Sequence, residues 1–271
     1  MSRNLAIFGG GVMGETILSG FLSAGVDAST ICVAERHEER RQQLEDLYGV
    51  TTFSSNTEAA AWADDVWVIV KPQDALALLD EIAPCLDERN LVVSLCAGLT
   101  TELLGRHLPG GMPVVRVMPN TPARIGQGTS AVSAGAHATD EQLQRVRRAM
   151  GSVGKVVVVP EDQQDAVTAT SGSGPAYLFA VAEAMTAAAI ELGLDAKVAD
   201  TLVRNTLLGS AALLAESPHD AAELRRQVTS AKGTTAAALD VLTEAGMADA
   251  FARAMQAAAR RSAELAREAG A

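Results

Sequence analysis

A glycine-rich segment near the start of the chain restricts the possible folds more than any other feature. From Asn4 to Gly14 the chain reads NLAIFGGGVMG, an apolar run that breaks into glycines, and a helical pattern follows as far as Leu22. A strand that turns tightly at Gly9, carries no Cβ at Gly11 and packs closely against the next helix at Gly14 is typical of a dinucleotide-binding turn. Such a helix offers free N–H groups and its positive dipole end to a pyrophosphate. A glycine-rich turn without a ligand is the alternative.

Short β-branched runs alternate with helical patterns up to Pro160. This alternation predicts βαβ units, and therefore an α/β domain with a doubly wound, Rossmann-type parallel sheet and helices on both faces. Strands are predicted at 5–8, 31–34, 66–70, 91–95, 114–118, 130–133 and 156–159, and helices at 12–24, 38–48, 57–63, 73–85 and 101–107.

The pattern changes after Pro160, where the β-branched runs end and alanine-rich helical patterns continue to the C-terminus. The first long helix is predicted to begin with Ser173 as its cap and to end at Gly193. We predict a dinucleotide-binding Rossmann-type domain over residues 1–160 and an all-α substrate-binding and dimerisation domain over residues 161–271. With few aromatic residues, the helical region has little large apolar material for a core of its own, which favours helix packing with a second copy. Its further helices are predicted at 195–215, 220–229, 234–244 and 247–269.

Charge and hydropathy exclude several classes of partner. The formal net charge of −11 repels polyanions and no basic patch is present, so no nucleic acid is expected to bind. The longest apolar runs are the size of strands, far below the roughly 20 residues of a membrane helix, so no membrane association is expected. The glycines at 9–11 interrupt the only candidate export signal, so we expect a cytoplasmic protein.

The cysteines and histidines indicate neither disulfides nor a metal site. Cys32, Cys85 and Cys96 are widely spaced, odd in number and set among apolar residues, which predicts reduced thiols in the core of a cytosolic protein. A reactive thiol at Cys96 is the alternative, although no histidine lies nearby in sequence to activate it. The histidines are isolated and show no ligand spacing, so no metal is expected.

The end of the second predicted strand carries the residues that distinguish NAD from NADP. An acidic residue there, such as Glu35, hydrogen-bonds the ribose hydroxyls of NAD and repels a 2′-phosphate, whereas a nearby arginine binds that phosphate. Arg36 follows Glu35 directly, with Arg40 and Arg41 behind it. For the last two, a solvated helix face is the alternative. The preference between NADH and NADPH is therefore left open.

Other predicted strands end in small or rigid segments, at the edge where open α/β sheets bind ligands. Lys71, between Val70 and Pro72, is either a proton donor or part of a rigid turn along the cofactor. The next strand ends in the small residues 96–98, whose backbone can lie against the nicotinamide half of a dinucleotide. A third segment, 116–122, contains two prolines that fix its path.

Taken in order, five motifs resemble the pyrroline-5-carboxylate reductase family. They are FGGGVMG at 8–14, VKPQ at 70–73, RVMPNTP at 116–122, SGSGPAY at 171–177 and GTT at 233–235. The resemblance implies hydride transfer from NADH or NADPH to the C=N carbon of a five-membered cyclic imine, which yields L-proline in the last step of proline biosynthesis. It also implies a homodimer that can assemble further. The implied cofactor contacts are Gly9, Gly10, Gly11, Val12, Met13, Gly14, Glu35, Arg36, Asn56, Val70, Lys71, Pro72, Cys96, Ala97, Gly98 and Gln227. For Asn56, capping the helix that follows is the alternative.

The same resemblance assigns the substrate to the segment from Ser230 to Thr235. Backbone N–H groups at a helix start, from Gly233 through Thr234 to Thr235, would bind the substrate carboxylate, and the Ser230 hydroxyl would be a further donor. The Thr235 hydroxyl would contact the ring nitrogen, and Glu161 would favour the protonated imine. The source of the proton is left open. Without the resemblance, Ser230 and the threonines would be plain helix caps. Ser173 would touch both the substrate and the nicotinamide.

The chain departs from the family pattern in two places, the substrate segment and the end of the second predicted strand. Ala231 and Lys232 replace the Pro-Gly of the usual Ser-Pro-Gly-Gly, and lysine is strained there if its φ is positive. In exchange, Lys232 would bring a cation to the substrate carboxylate. Glu35 stands where small polar residues are common. Two other functions remain as alternatives. The chain could reduce a related cyclic imine acid with a larger ring, or it could bind a dinucleotide as a regulator without catalysis.

Overall fold

A sheet of eight strands organises the first half of the chain, in a computed structural model that describes residues 3–269. The strands lie side by side in the order β3-β2-β1-β4-β5-β6-β7-β8, and β1 to β6 are parallel, which is the doubly wound arrangement that the sequence predicts. The strands are β1 (Leu5–Phe8), β2 (Ile31–Ala34), β3 (Thr51–Phe53), β4 (Asp65–Val68), β5 (Leu91–Ser94), β6 (Val114–Met118), β7 (Gly128–Ala134) and β8 (Gly154–Val158).

Helices connect these strands and continue to the C-terminus. Those of the first half are α1 (Val12–Ser23), α2 (Glu38–Tyr48), α3 (Asn56–Trp62), α4 (Pro72–Ile82), α5 (Thr101–Arg106), α6 (Asp140–Met150) and α7 (Gln164–Val167). Those of the second half are α8 (Gly174–Glu191), α9 (Ala196–Glu216), α10 (Ala221–Gln227), α11 (Thr234–Glu244) and α12 (Met247–Ala269). In the described part of the chain, none of them is both long and apolar enough to span a membrane.

Each face of the sheet carries its own apolar cluster because successive residues of a strand point to opposite sides. In β1, Ala6 and Phe8 belong to one cluster and Ile7 to the other. The second cluster contains Phe21 and Trp67, whose rings meet edge to face with centroids 4.9 Å apart. Burying side chains of this size stabilises the sheet by about 1.5–3 kcal/mol each.

The last two strands depart from the predicted parallel sheet. β7 pairs with β6 in the antiparallel sense and β8 is parallel to β7, so both run against the other six. The connection between β6 and β7 covers residues 119–127 and holds only a short turn at Thr121–Ile125. A parallel connection needs a dozen or more residues, usually with a helix, and this segment is too short for one. The doubly wound sheet is therefore mostly parallel, with two strands of opposite direction added at this edge.

Contacts divide the described chain into two compact units. The sheet unit runs to Ser173 and also takes the end of α12 from Ala257 onward, and the helical unit is Gly174–Gln256. The predicted boundary at Pro160 rests on composition and remains a prediction about domain limits. In the helical unit, Ala199 and Val203 of α9 are buried, whereas α8, α10 and α11 hold no buried residue.

Large apolar side chains of the helical unit are instead exposed. They lie on α8, α9, α11 and the start of α12, and include Leu178, Phe179, Leu202, Leu208, Leu213, Val241 and Met247. Exposed large apolar side chains in such number are typical of a surface that another protein chain covers.

The cysteine prediction holds at two positions of three. Cys32 and Cys96 are buried, but Cys85 is exposed, so its placement in the core was wrong. It follows Pro84 in the short turn that ends α4, at the surface end of an amphipathic helix. Burial raises the pKa of Cys96 to about 11, which argues against the alternative of a reactive thiol there.

Candidate functional site

The glycine-rich turn joins β1 to α1, with Gly11 as the N-cap of the helix. Gly9 has a φ of +108°, and a Cβ there would lie 2.6 Å from the carbonyl oxygen of Ile69. A Cβ at Gly14 would collide with the carbonyl of Gly9. These two glycines therefore serve the packing of the protein itself.

Gly11 differs from its neighbours because nothing in the protein requires it to be glycine. Its φ of −70° is ordinary, it is exposed, and a Cβ there would meet no atom within 4 Å. The next residues, Val12 and Met13, begin α1, where backbone N–H groups have no partner inside the helix. Open space beside unpaired donors at a helix start fits the close approach of a dinucleotide pyrophosphate.

The backbone on either side of Gly10 is held by side chains that follow β2. The Gly10 N–H donates to Glu35 Oε2 at 3.1 Å, and its carbonyl accepts from Arg40 Nε at 2.7 Å. Arg40 also pairs with Glu15 in the first turn of α1 at 2.5 Å, and Tyr48 donates to the same carboxylate at 2.9 Å. The hydrogen bond from Arg40 is the largest cause of a lowered pKa at Glu15.

Neither Arg40 nor Arg41 lies on a solvated helix face. Arg40 is half-buried in the contacts just described, and Arg41 Nη1 donates to the carbonyl oxygens of Glu35 and Arg36, both at 3.0 Å. That alternative is therefore wrong for both. Arg36 is exposed, and its Nε lies 3.1 Å from Nε2 of His37. No local sequence signal predicts the contacts of Arg40, because they depend on how α2 packs beside α1.

The ends of β4 and β5 lie on the same edge of the sheet as the glycine turn. A Cβ at Gly9 would lie 3.3 Å from Val70 Cγ1, so these segments are adjacent. Lys71 is the N-cap of α4 and Pro72 its first residue, a rigid arrangement that matches one of the two expectations for Lys71. The Sγ of Cys96 lies 3.4 Å from the carbonyl oxygen of Val70.

Beyond Cys96 and the half-buried Ala97, the chain turns at Gly98 with a φ of +77°. A Cβ on Gly98 would lie 3.3 Å from Leu265 Cβ and 3.4 Å from the carbonyl oxygen of Ser262, both on α12. The end of α12 therefore packs directly on this turn.

Asn56 is the first residue of α3 and is not its cap. The cap is Ser55, whose hydroxyl accepts from the N–H of Glu58, so the alternative of a capping Asn56 was wrong. The Asn56 amide donates to Glu81 Oε2 at 2.8 Å on the surface. Its expected contact with a cofactor remains a prediction.

Glu161 lies at the centre of a polar cluster that ties several elements together. Its carboxylate accepts from the N–H of Thr101 at 2.6 Å and from the Thr101 hydroxyl, at the start of α5. Arg116 of β6, 3% exposed, lies 3.6 Å away. Burial lowers the pKa of Arg116 while Glu161 and Asp165 oppose that shift, and its Nη2 has no hydrogen-bond partner. Asp165 in turn accepts from Ser262 of α12 at 2.6 Å.

The structure brings the motifs RVMPNTP and SGSGPAY into contact. Asn120 of the first donates to the carbonyl of Ser171 in the second at 3.1 Å, and its own oxygen accepts from the N–H of Thr129 at 2.8 Å. A Cβ on Gly172 would collide with Met118 at 2.5 Å. This pairing was not predicted, although both partners lie inside motifs that the sequence singles out.

Ser173 is not a helix cap. Residues Thr168–Gly172 form a wide π-helical turn that leads into α8, and Ser173 has helical angles, φ −84° and ψ −18°. Its N–H donates to the carbonyl of Thr168 at 2.8 Å. A cap would be extended at this point, so the expected fresh helix start is wrong, and the backbone is already helical before α8.

The predicted substrate segment lies in the helical unit, at the start of α11. Gly233 is the N-cap, as expected, and no side chain caps the helix, so the N–H groups of its first turn, beginning with Thr234 and Thr235, have no partner within it. The N–H of Gly233 donates to the carbonyl of Ser230 at 3.0 Å, and a Cβ on Gly233 would collide with the Ser230 hydroxyl.

Lys232 has a φ of +61°, and no other non-glycine residue in the described part of the chain has a positive φ. Lysine was expected to be strained here if its φ were positive, and the observed φ meets that condition. Gln227 ends α10 and donates to Glu223 at 3.1 Å on the surface. Nowhere in residues 3–269 do three or more His, Cys, Asp or Glu side chains converge as metal ligands.

Comparison with known families assigns both halves of the chain. Residues 161–265 match the family model for pyrroline-5-carboxylate reductase dimerisation, and residues 4–98 match the model for NADP oxidoreductases dependent on coenzyme F420. A pyrroline-5-carboxylate reductase of Corynebacterium melassecola is 43% identical over 264 residues, covering 96% of this chain and 98% of the relative. One of Pseudomonas aeruginosa is 39% identical over 267 residues, covering 98% of each.

Solved structures give the same result. A pyrroline-5-carboxylate reductase of Coxiella burnetii superposes with a TM-score of 0.92 at 36% identity, over 98% of this chain and 99% of that one. The Plasmodium falciparum pyrroline carboxylate reductase, solved with NADP bound, superposes with a TM-score of 0.87 at 26% identity, over 98% of each chain. The similarity therefore extends over both units.

Proposed function

We propose that this chain, which belongs to the pyrroline-5-carboxylate reductase family, reduces 1-pyrroline-5-carboxylate to L-proline with NADH or NADPH. The observation that carries the proposal is the start of α11. There Gly233 caps a helix whose first N–H groups, at Thr234 and Thr235, have no side-chain partner, with the Ser230 hydroxyl beside them. Unpaired donors at a helix start suit the carboxylate of a cyclic imino acid.

Within this site, Ser230 and the backbone N–H groups bind the substrate carboxylate, and the Thr235 hydroxyl hydrogen-bonds the ring nitrogen. A donor at that nitrogen favours the protonated imine, whose carbon accepts a hydride more readily. Ser173 lies in continuous helix, so it contributes its side chain rather than a free N–H.

Glu161 acts through its charge. Its two carboxylate oxygens already accept hydrogen bonds from Thr101, and Arg116 lies beside one of them, so it is not free to donate a proton. A negative charge held in this way still favours a protonated imine. Glu161→Gln should then lower turnover chiefly at high pH, where free imine is unprotonated.

The cofactor occupies the sheet unit, where residues 9–14, Glu35, Arg36, Asn56 and the segments 70–72 and 96–98 contact it, and Gln227 of the helical unit adds a polar contact. When bound, the dinucleotide supplies the hydride. The chain's own residues orient it: the open position at Gly11 admits the pyrophosphate and α1 stabilises the charge.

The working form is a homodimer, which can assemble further. The family model for dimerisation matches the region that holds α8 to α11, and these helices expose the apolar side chains that a second copy would cover. We expect the protein to act in the cytoplasm, where free thiols such as those of its three cysteines stay reduced.

A steady-state assay tests the proposal. The purified chain is given 1-pyrroline-5-carboxylate with NADH and with NADPH in parallel, and oxidation of the dinucleotide should match formation of L-proline. A higher kcat/KM for the six-membered imine acid would favour the related reductase. Tight dinucleotide binding without turnover would favour a regulator, and Ala231→Pro with Lys232→Gly should then restore activity.

A further inference from the structure

The segment that follows β2 holds the glycine turn and also carries the charges that a nucleotide meets there. Glu35 accepts the Gly10 N–H, and Arg40 donates to the Gly10 carbonyl. Two successive peptide groups of the turn, Gly9–Gly10 and Gly10–Gly11, are thus each held by a charged side chain, one by a carboxylate and one by a guanidinium. Peptide groups held in this way present the next residues, Gly11 and Val12, in one orientation, which lowers the entropy lost when an anion binds.

The Glu35 carboxylate has hydrogen bonds but no cationic partner. Its second oxygen accepts from the N–H of His37 at 2.9 Å, and no ion pair to Glu35 occurs in the described part of the chain. A full negative charge therefore stands half-buried at the end of β2, where a 2′-phosphate would have to approach.

Two of the three nearby arginines are engaged elsewhere. Arg40 donates to the Gly10 carbonyl and pairs with Glu15, and Arg41 donates to two backbone carbonyls. Only Arg36 is exposed, and an exposed guanidinium is screened by water and salt. The half-buried Glu35 carboxylate is screened less, so its repulsion of a 2′-phosphate should exceed the attraction that Arg36 provides.

We propose that this chain binds NADH in preference to NADPH, with Glu35 as the residue that excludes the 2′-phosphate and Arg40 as a positioning residue for the glycine turn. The inference rests on the proposed function, because it names the cofactor of that same site. In sequence, Glu35 indicates NAD and Arg40 indicates NADP, whereas the inference gives these two residues different roles.

Calorimetric titration of the full-length protein with NADH and with NADPH, without imine, measures the preference directly. NADH should bind at least about tenfold more tightly at fixed ionic strength. Equal binding, or tighter binding of NADPH, would overturn the inference while leaving the reductase intact. Failure to bind either dinucleotide would overturn the proposed function, and the inference with it.

Glu35→Gln removes the charge with little change of shape, and its amide oxygen can keep the hydrogen bond from the Gly10 N–H while the one from the His37 N–H is lost. NADPH binding should tighten at least about fivefold while NADH binding changes less than about twofold. The matched control is Glu39→Gln, an exposed residue of α2 with the same change of charge, which should alter neither. An unchanged ratio in Glu35→Gln would overturn the role of Glu35.

Arg40→Met tests the positioning role. Both dinucleotides should bind more weakly by the same factor, about tenfold, and their ratio should stay constant. Arg40→Lys should not rescue, because a point charge cannot serve the carbonyl and Glu15 in the same way. Arg147→Met, at an exposed arginine of α6, is the control. Selective loss of NADPH binding in either Arg40 variant would make Arg40 a phosphate ligand and overturn its assignment.

Discussion

The sheet unit and the helical unit differ in how far their large apolar side chains are buried. In the sheet unit, residues such as Ile7, Trp67 and Leu79 are buried in two clusters. In Gly174–Gln256, leucines such as Leu202 and Leu208 remain exposed, although their helices are regular. Regular secondary structure therefore does not show that a unit is complete. The sheet unit carries its own core, and the helical unit depends on a second copy.

The two halves of the candidate site differ in a similar way. The turn at Gly10 is held by Glu35 and Arg40, whereas the loop before α11 contains an exposed lysine, Lys232, with a positive φ. We propose that the first binds the cofactor and the second the substrate. Hydrogen bonds hold the turn at Gly10, whereas the loop before α11 has a backbone conformation that its own sequence disfavours.

A charged residue on the exposed apolar surface of the helical unit should have the largest effect on assembly and activity. Leu208→Lys places an ammonium group on a surface that we expect to be buried twice in a symmetric dimer, and an unpaired buried charge is strongly destabilising. Dimers should be lost at micromolar concentration and activity should fall at least about 1000-fold. Leu47→Lys is the matched control, because Leu47 is 67% exposed in the sheet unit and Leu208 is 70% exposed. A dimeric, active Leu208→Lys variant would show that this surface is not the interface.

A cavity in the sheet unit should cost stability without affecting assembly. Leu79 is fully buried on α4, so Leu79→Ala should lower the free energy of unfolding by about 2–5 kcal/mol. The loss should not vary with protein concentration, since the core lies within one chain. Chemical denaturation at two concentrations measures it, with Leu47→Ala as control. A loss that depends on concentration would mean that the sheet unit also needs its partner.

Removing the Thr235 hydroxyl should affect chemistry more than cofactor binding. Thr235→Ala should lower kcat by about 10- to 100-fold while the dissociation constant of the dinucleotide is unchanged. Thr243→Ala, on the same helix and bonded only to the carbonyl of Leu239, should leave both unchanged. An unaltered kcat in Thr235→Ala would remove Thr235 from the reaction.

Relief of strain at Lys232 should have a small stabilising effect. A left-handed conformation costs a residue with a Cβ about 1–2 kcal/mol. Glycine loses about 0.5–1 kcal/mol more in entropy on folding, so Lys232→Gly should gain about 0.5–1 kcal/mol. Thermal unfolding measures the gain. Lys232→Ala keeps the Cβ and should change little, and an equal gain in both variants would show that charge, not conformation, is responsible.

Thiol reactivity should show the smallest effect. Burial raises the pKa of Cys32 to about 12 and that of Cys96 to about 11, so their thiolate forms, which carry the reactivity, are scarce at pH values well below those pKa values. A thiol reagent near pH 8 should therefore label one thiol per folded chain, the exposed Cys85, and none in Cys85→Ser. Labelling should rise only when the pH approaches the raised pKa values. Rapid labelling of a second thiol in native protein would contradict the burial of Cys96.

Much of the fold follows from local pattern, since glycine spacing, β-branched runs and alanine-rich repeats depend on nearby residues. Patterns that depend on distant contacts were missed. β3 is three residues long with an exposed Thr51, too short for periodicity to detect. By contrast, α6 is absent from the predicted helices although its capping box at Thr139 is a local signal. The wide turn before α8 accepts a hydrogen bond from Asn120, about fifty residues earlier in the chain, which no local rule anticipates.

For the candidate site, spacing predicted the glycine turn, and the family resemblance predicted the substrate site at the start of α11. The partners of charged groups were not predictable. Arg40 lies five residues after Glu35 and four after Arg36, the positions that a nucleotide rule inspects, and its contacts exist only after α2 packs beside α1. Thr101 likewise meets Glu161 only through the fold. Local sequence thus indicates where a ligand binds, and packing determines which charges remain free to meet it.

Sedimentation velocity of the purified chain, followed from micromolar to nanomolar concentration alongside its reductase activity, tests the central claim most directly. If the helical unit is completed by a second copy, the active species should sediment at twice 28.1 kDa or a larger even multiple of it. An active species of 28.1 kDa would contradict the claim, because the exposed apolar helices would then be stable and functional without a partner.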